Sequence, residues 1–194
     1  TLKFRESGDS IIVTGNGAKL SLTGQNADEF PDVPPLEAEG GTSEVNRLAF
    51  ADAIARTLPC ADRTEASARW AITGLFLEVG KEELTVVGTD TRRLGVATLR
   101  AERLSEAVTG LIPRKAAEVL IRALANAEDE TVTFNLTKNG AVFSCGPLTV
   151  HTKLVEGRFP PYRDILPKKP AHVFTVPRVS FAAAVKLAGG VADD

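Results

Sequence analysis

The densest chemistry in the chain lies in one short stretch, Thr89-Asp90-Thr91-Arg92-Arg93-Leu94, which follows Gly88. A carboxylate next to two guanidiniums (Asp90 with Arg92 and Arg93) could hold a phosphorylated ligand. A short hairpin turn needs neither a threonine-aspartate pair nor two adjacent arginines, since Asn-Gly or Gly-Gly serves it better. The plainer alternative is local: Thr89 and Asp90 bond to nearby backbone while the arginines solvate the tip. Other reactive types are scattered. Cys60, Cys145, His151 and His172 share no motif, no glycine-rich phosphate loop precedes a helix, and no carboxylate cluster suggests a metal. No cofactor, metal or catalytic residue is expected.

Two strands must hold the stretch. Residues 83–87 read as extended, and residues 93–99 alternate apolar and polar, so the two should pair antiparallel across the turn. Upstream, 2–6, 10–14 and 18–23 read as three short strands separated by Ser7-Gly8-Asp9 and Gly15-Asn16-Gly17. Residues 24–42, centred on Phe30-Pro31-Asp32-Val33-Pro34-Pro35, read as a linker, because proline excludes a ladder or helix. A strand at 44–48 then leads into a helix over 49–58, with Phe50, Ala53, Ile54 and Leu58 at helical spacing, stopped by Pro59. A long strand is expected at 69–79 and another at 106–112. A second helix should open at Pro113 and run to 125, with Ala117, Val119, Leu120, Ile121 and Leu124 as its apolar surface. Strands at 130–136, 141–145 and 148–155, a second proline-marked connector at 157–167, a strand at 172–176 and a helix at 179–187 complete the pattern.

The 194 residues are 43% hydrophobic and 25% charged with a net charge of -2, an ordinary globular composition that excludes a histone-like basic binder but not a local basic face. Two cysteines in unrelated contexts give no disulfide framework, and a reducing cytoplasm is the expected compartment. No run reaches the length of a membrane span. The sequence has no methionine and begins inside an alternating pattern, so a piece of a longer protein is expected.

A repeat organises the whole. Phe50-Ala51-Asp52-Ala53 in the first helix matches Phe181-Ala182-Ala183-Ala184 in the last, and Phe30-Pro31 matches Phe159-Pro160 in the connectors, both offset by about 130 residues. That period is the size of a domain. An α+β protein is expected, with antiparallel sheets, helices on one face and tandem repeated domains.

Three motifs sharpen this. Thr89-Asp90-Thr91-Arg92-Arg93-Leu94, Ile112-Pro113-Arg114-Lys115 and Lys153-Leu154-Val155-Glu156-Gly157-Arg158-Phe159-Pro160 resemble, in order and spacing, motifs of the bacterial DNA polymerase III beta subunit, the sliding-clamp family. The resemblance covers the chain and implies a DNA clamp fold. It implies the C-terminal part of a first domain with its linker at 1–35, a complete middle domain at 36–168, and the start of a third at 169–194. It further implies a non-catalytic homodimeric ring around duplex DNA that tethers a polymerase. The middle domain would carry a groove for short apolar, glutamine-bearing peptides of polymerases and the clamp loader. Carried over, the groove residues are Ile72, Thr89, Thr91, Arg92, Arg93, Leu94, Pro160 and Ile165. The DNA-facing residues are Arg56, Arg69, Trp70, Arg114, Lys115, Arg122 and Lys186. Thr91 and Arg92 stand where the family often has glycine and histidine, and Asp164 where some members have a basic residue. A glycine at the Thr91 position would point to a positive backbone angle, at a cost on the order of 1 kcal/mol for threonine.

Overall fold

The computed structural model describes residues 1–29, 41–63, 71–104, 106–167 and 172–190. By internal contacts the chain divides into two units, Thr1–Phe159 and Pro160–Asp194.

In the first unit, β1 (Lys3–Ser7), β2 (Ser10–Gly15) and β3 (Ala18–Thr23) form a three-stranded antiparallel meander. Asn16 and Gly17 both take positive φ, 51° and 79°, the backbone a tight two-residue hairpin requires. A short 3-10 turn at Ala27–Glu29 follows. The rest of the expected linker, including Phe30-Pro31, falls at 30–40, outside the described residues.

The main body is an eight-stranded antiparallel sheet with the order β11-β10-β9-β4-β7-β6-β5-β8. Its strands are β4 (Ser43–Asn46), β5 (Gly74–Val79), β6 (Glu83–Thr89), β7 (Leu94–Arg103), β8 (Val108–Pro113), β9 (Thr131–Leu136), β10 (Gly140–Cys145) and β11 (Leu148–Lys153). Just beyond β11, the Val155 N–H donates to the Leu111 carbonyl at 2.8 Å, bringing the two ends of the sheet together.

Helices α1 (Arg47–Thr57) and α2 (Arg114–Ala125) pack on each other over this sheet. α1 starts two residues earlier than its apolar spacing suggests, because the Asn46 side chain accepts from the Ala49 N–H at 3.1 Å and fixes the N-cap there. α1 buries Phe50, Ala53 and Ile54, and Phe50 stacks with Phe134 and Phe143 at centroid distances of 6.1 and 5.9 Å. α2 buries Ala116, Ala117, Leu120 and Leu124, whereas Val119 is exposed and does not join the apolar surface as expected. Its position between Lys115 and Arg122 puts it on the outer helix face. Pro113 ends β8 and caps α2, so the helix proper starts at Arg114.

Each of the two helices opens with an arginine, a residue the helix dipole disfavours at that end. Arg47 donates to the Leu124 carbonyl at 2.6 Å and the Asp129 carbonyl at 2.7 Å, while Arg114 donates to Leu58 at 2.9 Å and Ala61 at 3.3 Å. Each arginine thus satisfies carbonyls left open at the end of the other helix, which fixes the pair antiparallel.

Of the strand expected at 69–79, residues 69 and 70 lie outside the described residues, 71–73 are not strand, and β5 begins at Gly74, where a Cβ would lie 2.0 Å from the Ile112 carbonyl oxygen, so glycine lets β5 meet β8.

In the second unit, a 3-10 turn (Tyr162–Ile165) and helix α3 (Arg178–Gly189) are formed. The strand expected at 172–176 is absent; those residues are exposed and no neighbouring strand among the described residues supplies a ladder. Arg178 and Phe181 repeat the spacing of Arg47 and Phe50, but Phe181 is exposed where Phe50 is buried.

Candidate functional site

β6 and β7 pair in register from Glu83↔Arg100 to Thr89↔Leu94, leaving residues 90–93 as the turn. Its side chains build it. The Thr89 hydroxyl donates to the Arg93 carbonyl at 2.8 Å and accepts the Thr91 N–H at 3.2 Å. Asp90 Oδ1 accepts the N–H groups of Arg92 and Arg93 at 3.0 and 2.9 Å, and Oδ2 accepts Arg93 Nε at 2.7 Å. Thr91 stands at φ 74°, left-handed for a β-branched residue, so the turn takes a positive angle at this position.

Behind the turn lies the end of α1. A Cβ at Gly88 would lie 2.4 Å from the Thr57 carbonyl oxygen, and one at Gly95 would lie 3.0 Å from Cys60 Sγ and 3.2 Å from Thr57 Cα. Both glycines therefore let the hairpin sit directly on the helix end. By strand alternation Thr89, Leu94 and Val96 point to the opposite face. Register then extends an apolar row across four strands on that face, Leu111, Phe76, Val87 and Val96, with Phe159 stacked on Phe76 at 4.7 Å.

The Arg93 guanidinium, and the two backbone N–H groups of the turn, hold the Asp90 carboxyl down at about 2. The Arg93 pKa is raised in return, chiefly by its hydrogen bond to Asp90. The folded-state pKa of Asp90 is below its unfolded value near 3.9, so its contribution is fully present above about pH 4 and is lost as pH falls through about 2. In acid titrations followed by circular dichroism, Asp90→Asn should lack the part of the stability loss that wild type shows between about pH 4 and 2. An identical acid profile for the two proteins would contradict this.

The expected groove residues fare differently. Thr89, Thr91, Arg92, Arg93 and Leu94 are brought together by the turn. Ile72 joins them through the backbone, since the Asp62 N–H is shared between the Ile72 and Thr89 carbonyls at 3.1 and 3.2 Å. The Ile72 side chain is only 1% exposed, so it lies beneath the surface rather than on it, and Thr89 is nearly as buried. Both hydrogen-bonding capacities of the Thr89 hydroxyl are already engaged within the turn. Pro160 and Ile165 lie in the second unit, where Ile165 is exposed on the 3-10 turn. Val96, missed in the sequence, is exposed two residues beyond Leu94, and the alternation of β7 carried that signal.

Of the expected DNA-facing residues, Lys115 and Arg122 are exposed on α2. Arg56 is exposed on α1 and paired with Asp52 at 2.7 Å. Lys186 is exposed on α3. Arg69 and Trp70 lie outside the described residues. Arg114 is more enclosed: its side chain is 21% exposed, bonded to the Leu58 and Ala61 carbonyls and paired with Glu118 at 3.1 Å, so it links the two helices.

The phosphate-ligand alternative finds Asp90 fully engaged within the turn. Cys145 is buried, which pushes its thiol up, with Asp129 adding to the effect and Arg47 opposing it. Among the described residues no group of histidine, cysteine and carboxylate side chains could hold a metal, and no helix is long and apolar enough to cross a membrane.

Residues 44–161, covering all of the eight-stranded sheet but its first residue, together with the turn, match the family described as DNA polymerase III beta subunit, central domain. The chain belongs to the DNA polymerase III beta subunit family. The beta sliding clamp of Helicobacter pylori strain 26695 is 29% identical over 186 residues, covering 92% of this chain and 47% of that protein. The beta sliding clamp of Escherichia coli K12 is 28% identical over 165 residues, covering 84% and 43%. The chain therefore spans about half the length of the curated relatives it matches. Among solved structures, the H. pylori beta clamp bound to a DNA ligase peptide superposes with a TM-score of 0.81 at 28% identity, covering 98% of this chain and 52% of that one. The Pseudomonas aeruginosa clamp bound to griselimycin gives 0.75 at 27% identity, covering 88% and 45%. The antiparallel α+β architecture is thus that of the sliding clamps, and DNA replication is the family's setting.

Proposed function

We propose that this beta-subunit chain is part of a non-catalytic sliding clamp that encircles duplex DNA as a homodimeric ring and tethers the replicative polymerase. Residues 1–35, 36–168 and 169–194 would be the end of a first clamp domain, a whole middle domain and the start of a third. A soluble, cytoplasmic replication protein fits this reading.

The observation that carries the proposal is the preformed turn on a family-matched domain. It holds Leu94 and Val96 on one face beside two arginines, with its backbone N–H groups already bonded. Such a surface suits a short apolar peptide from a polymerase or clamp loader, anchored by burial and framed by arginine stems. Because the backbone is set, binding costs little ordering entropy. Lys115 and Arg122, seven positions apart on one helix face, suit nonspecific phosphate contact, and so few cations suit sliding better than tight binding.

The test is fluorescence anisotropy of a labelled glutamine-bearing apolar peptide against this chain and Leu94→Asp. Saturable binding should weaken at least tenfold in the variant, because a charge replaces the apolar anchor site. Equal binding by both proteins would refute the site.

A further inference from the structure

We propose that the seam where the two ends of the sheet meet is a binding site for a nucleoside monophosphate. A cavity of about 530 Å³ opens there between β8 and the chain that leaves β11. That volume lies within the range of small-molecule sites, roughly 300–1,000 Å³. None of residues 89–96 lines it, so it is separate from the β6–β7 turn.

The backbone sets the walls before any ligand arrives. The Val155 N–H donates to the Leu111 carbonyl at 2.8 Å and closes the seam, and the Leu154 N–H donates to the Asn139 carbonyl at 3.0 Å and ties the β9–β10 turn to it. Thr137 closes that turn: its N–H reaches the Gly140 carbonyl at 2.9 Å, and its hydroxyl accepts the Gly140 N–H at 3.1 Å. Lys138 therefore leaves a fixed turn, and Lys153 stands opposite Gly140 at the end of β11. Both lysines line the cavity, and Glu156 is the one other charged residue that does so among the described residues. None of the three has an ion pair among the described residues, so the cavity carries a net positive charge with ammonium donors open to a ligand.

The rest of the lining has a different character. Phe76 and Phe159 stack at 4.7 Å, 6° from parallel, with both rings half-buried, and Leu111 pairs with Phe76 in register. A flat apolar wall takes a planar base without reading its edges, while two lysines take a phosphate as point charges. A bare anion would leave the aromatic wall uncovered, and a neutral heterocycle would leave the lysines unused. A nucleoside monophosphate satisfies both. Because the lysines are exposed, their effect should be modest and salt-sensitive.

Isothermal titration calorimetry of the full chain with adenosine monophosphate, adenosine and inorganic phosphate tests this. The nucleotide should bind with a Kd on the order of 100 µM, and adenosine and phosphate each at least tenfold more weakly. Lys138→Gln and Lys153→Gln should each weaken the nucleotide about threefold at low salt, and less as salt rises. Thr109→Trp, at an exposed strand position that lines the cavity and suits an aromatic residue, should fill the space and abolish binding. Circular dichroism shows whether each variant is folded, and saturating glutamine-bearing peptide should not displace the nucleotide. The proposal is overturned if the folded wild-type chain does not bind the nucleotide or binds phosphate equally well. It is also overturned if the lysine variants or Thr109→Trp bind the nucleotide like wild type, or if the peptide displaces it. Failure here leaves the peptide site standing, since the two sites share no lining residue.

Discussion

Phe50→Ala should cost about 3–5 kcal/mol of stability and lower the melting temperature by roughly 10 °C. Phe50 is fully buried and stacks on both Phe134 and Phe143, which lie 5.8 Å apart on adjacent strands. Truncation opens a cavity that two aromatic neighbours on a rigid sheet cannot collapse to fill, which puts the loss at the high end for a core residue. The consequence should reach the turn. α1 is pinned to β9 and β10 by this ring cluster, and its other end supports Gly88 and Gly95. Urea unfolding followed by fluorescence or circular dichroism gives the number. A loss below about 1 kcal/mol would mean that α1 is held mainly by other contacts.

Arg114→Ala should destabilise by about 2–3 kcal/mol, through carbonyls rather than through DNA. The guanidinium bonds Leu58, the C-cap of α1, and Ala61 just beyond it; removing it takes the guanidinium donor from the Ala61 carbonyl and leaves that of Leu58 only the Ala61 N–H at 3.2 Å. Arg114→Lys should recover only part of the loss, since one ammonium cannot reproduce the planar fork that meets both carbonyls and Glu118. Thermal melts of the three proteins test this. Lys115→Ala on the exposed face serves as the contrast, because it should leave stability within about 0.5 kcal/mol. If Arg114→Ala melted like wild type, the carbonyl bonds of Arg114 would contribute nothing measurable to stability.

The sequence by itself determined a good deal. Period-two alternation is a local property, so β2, β3, β7, β9 and β10 were legible within a residue or two, except for the late end of β7. Helical spacing around Phe50 and the proline before Arg114 placed α1 and α2 for the same reason. The unusual content of the turn, more polar chemistry than a hairpin needs, marked the candidate site before any fold was known, and the three ordered motifs pointed to the family.

Only the tertiary structure decided how that chemistry is divided. Thr89, Asp90 and Arg93 are used locally to build the turn, whereas Arg92 and Val96 are left exposed beside Leu94. No spacing rule separates these roles, because hydrogen-bond partners depend on the backbone path that residues 90–93 take together. The setting of Arg114 has a similar cause. One residue apart on a helix, Arg114 and Lys115 look alike in sequence, yet a rotation of about 100° turns the first toward the end of α1 and the second to solvent. The missing strand at 172–176 shows the opposite limit: alternation was present, but a strand exists only where a neighbour completes its ladder.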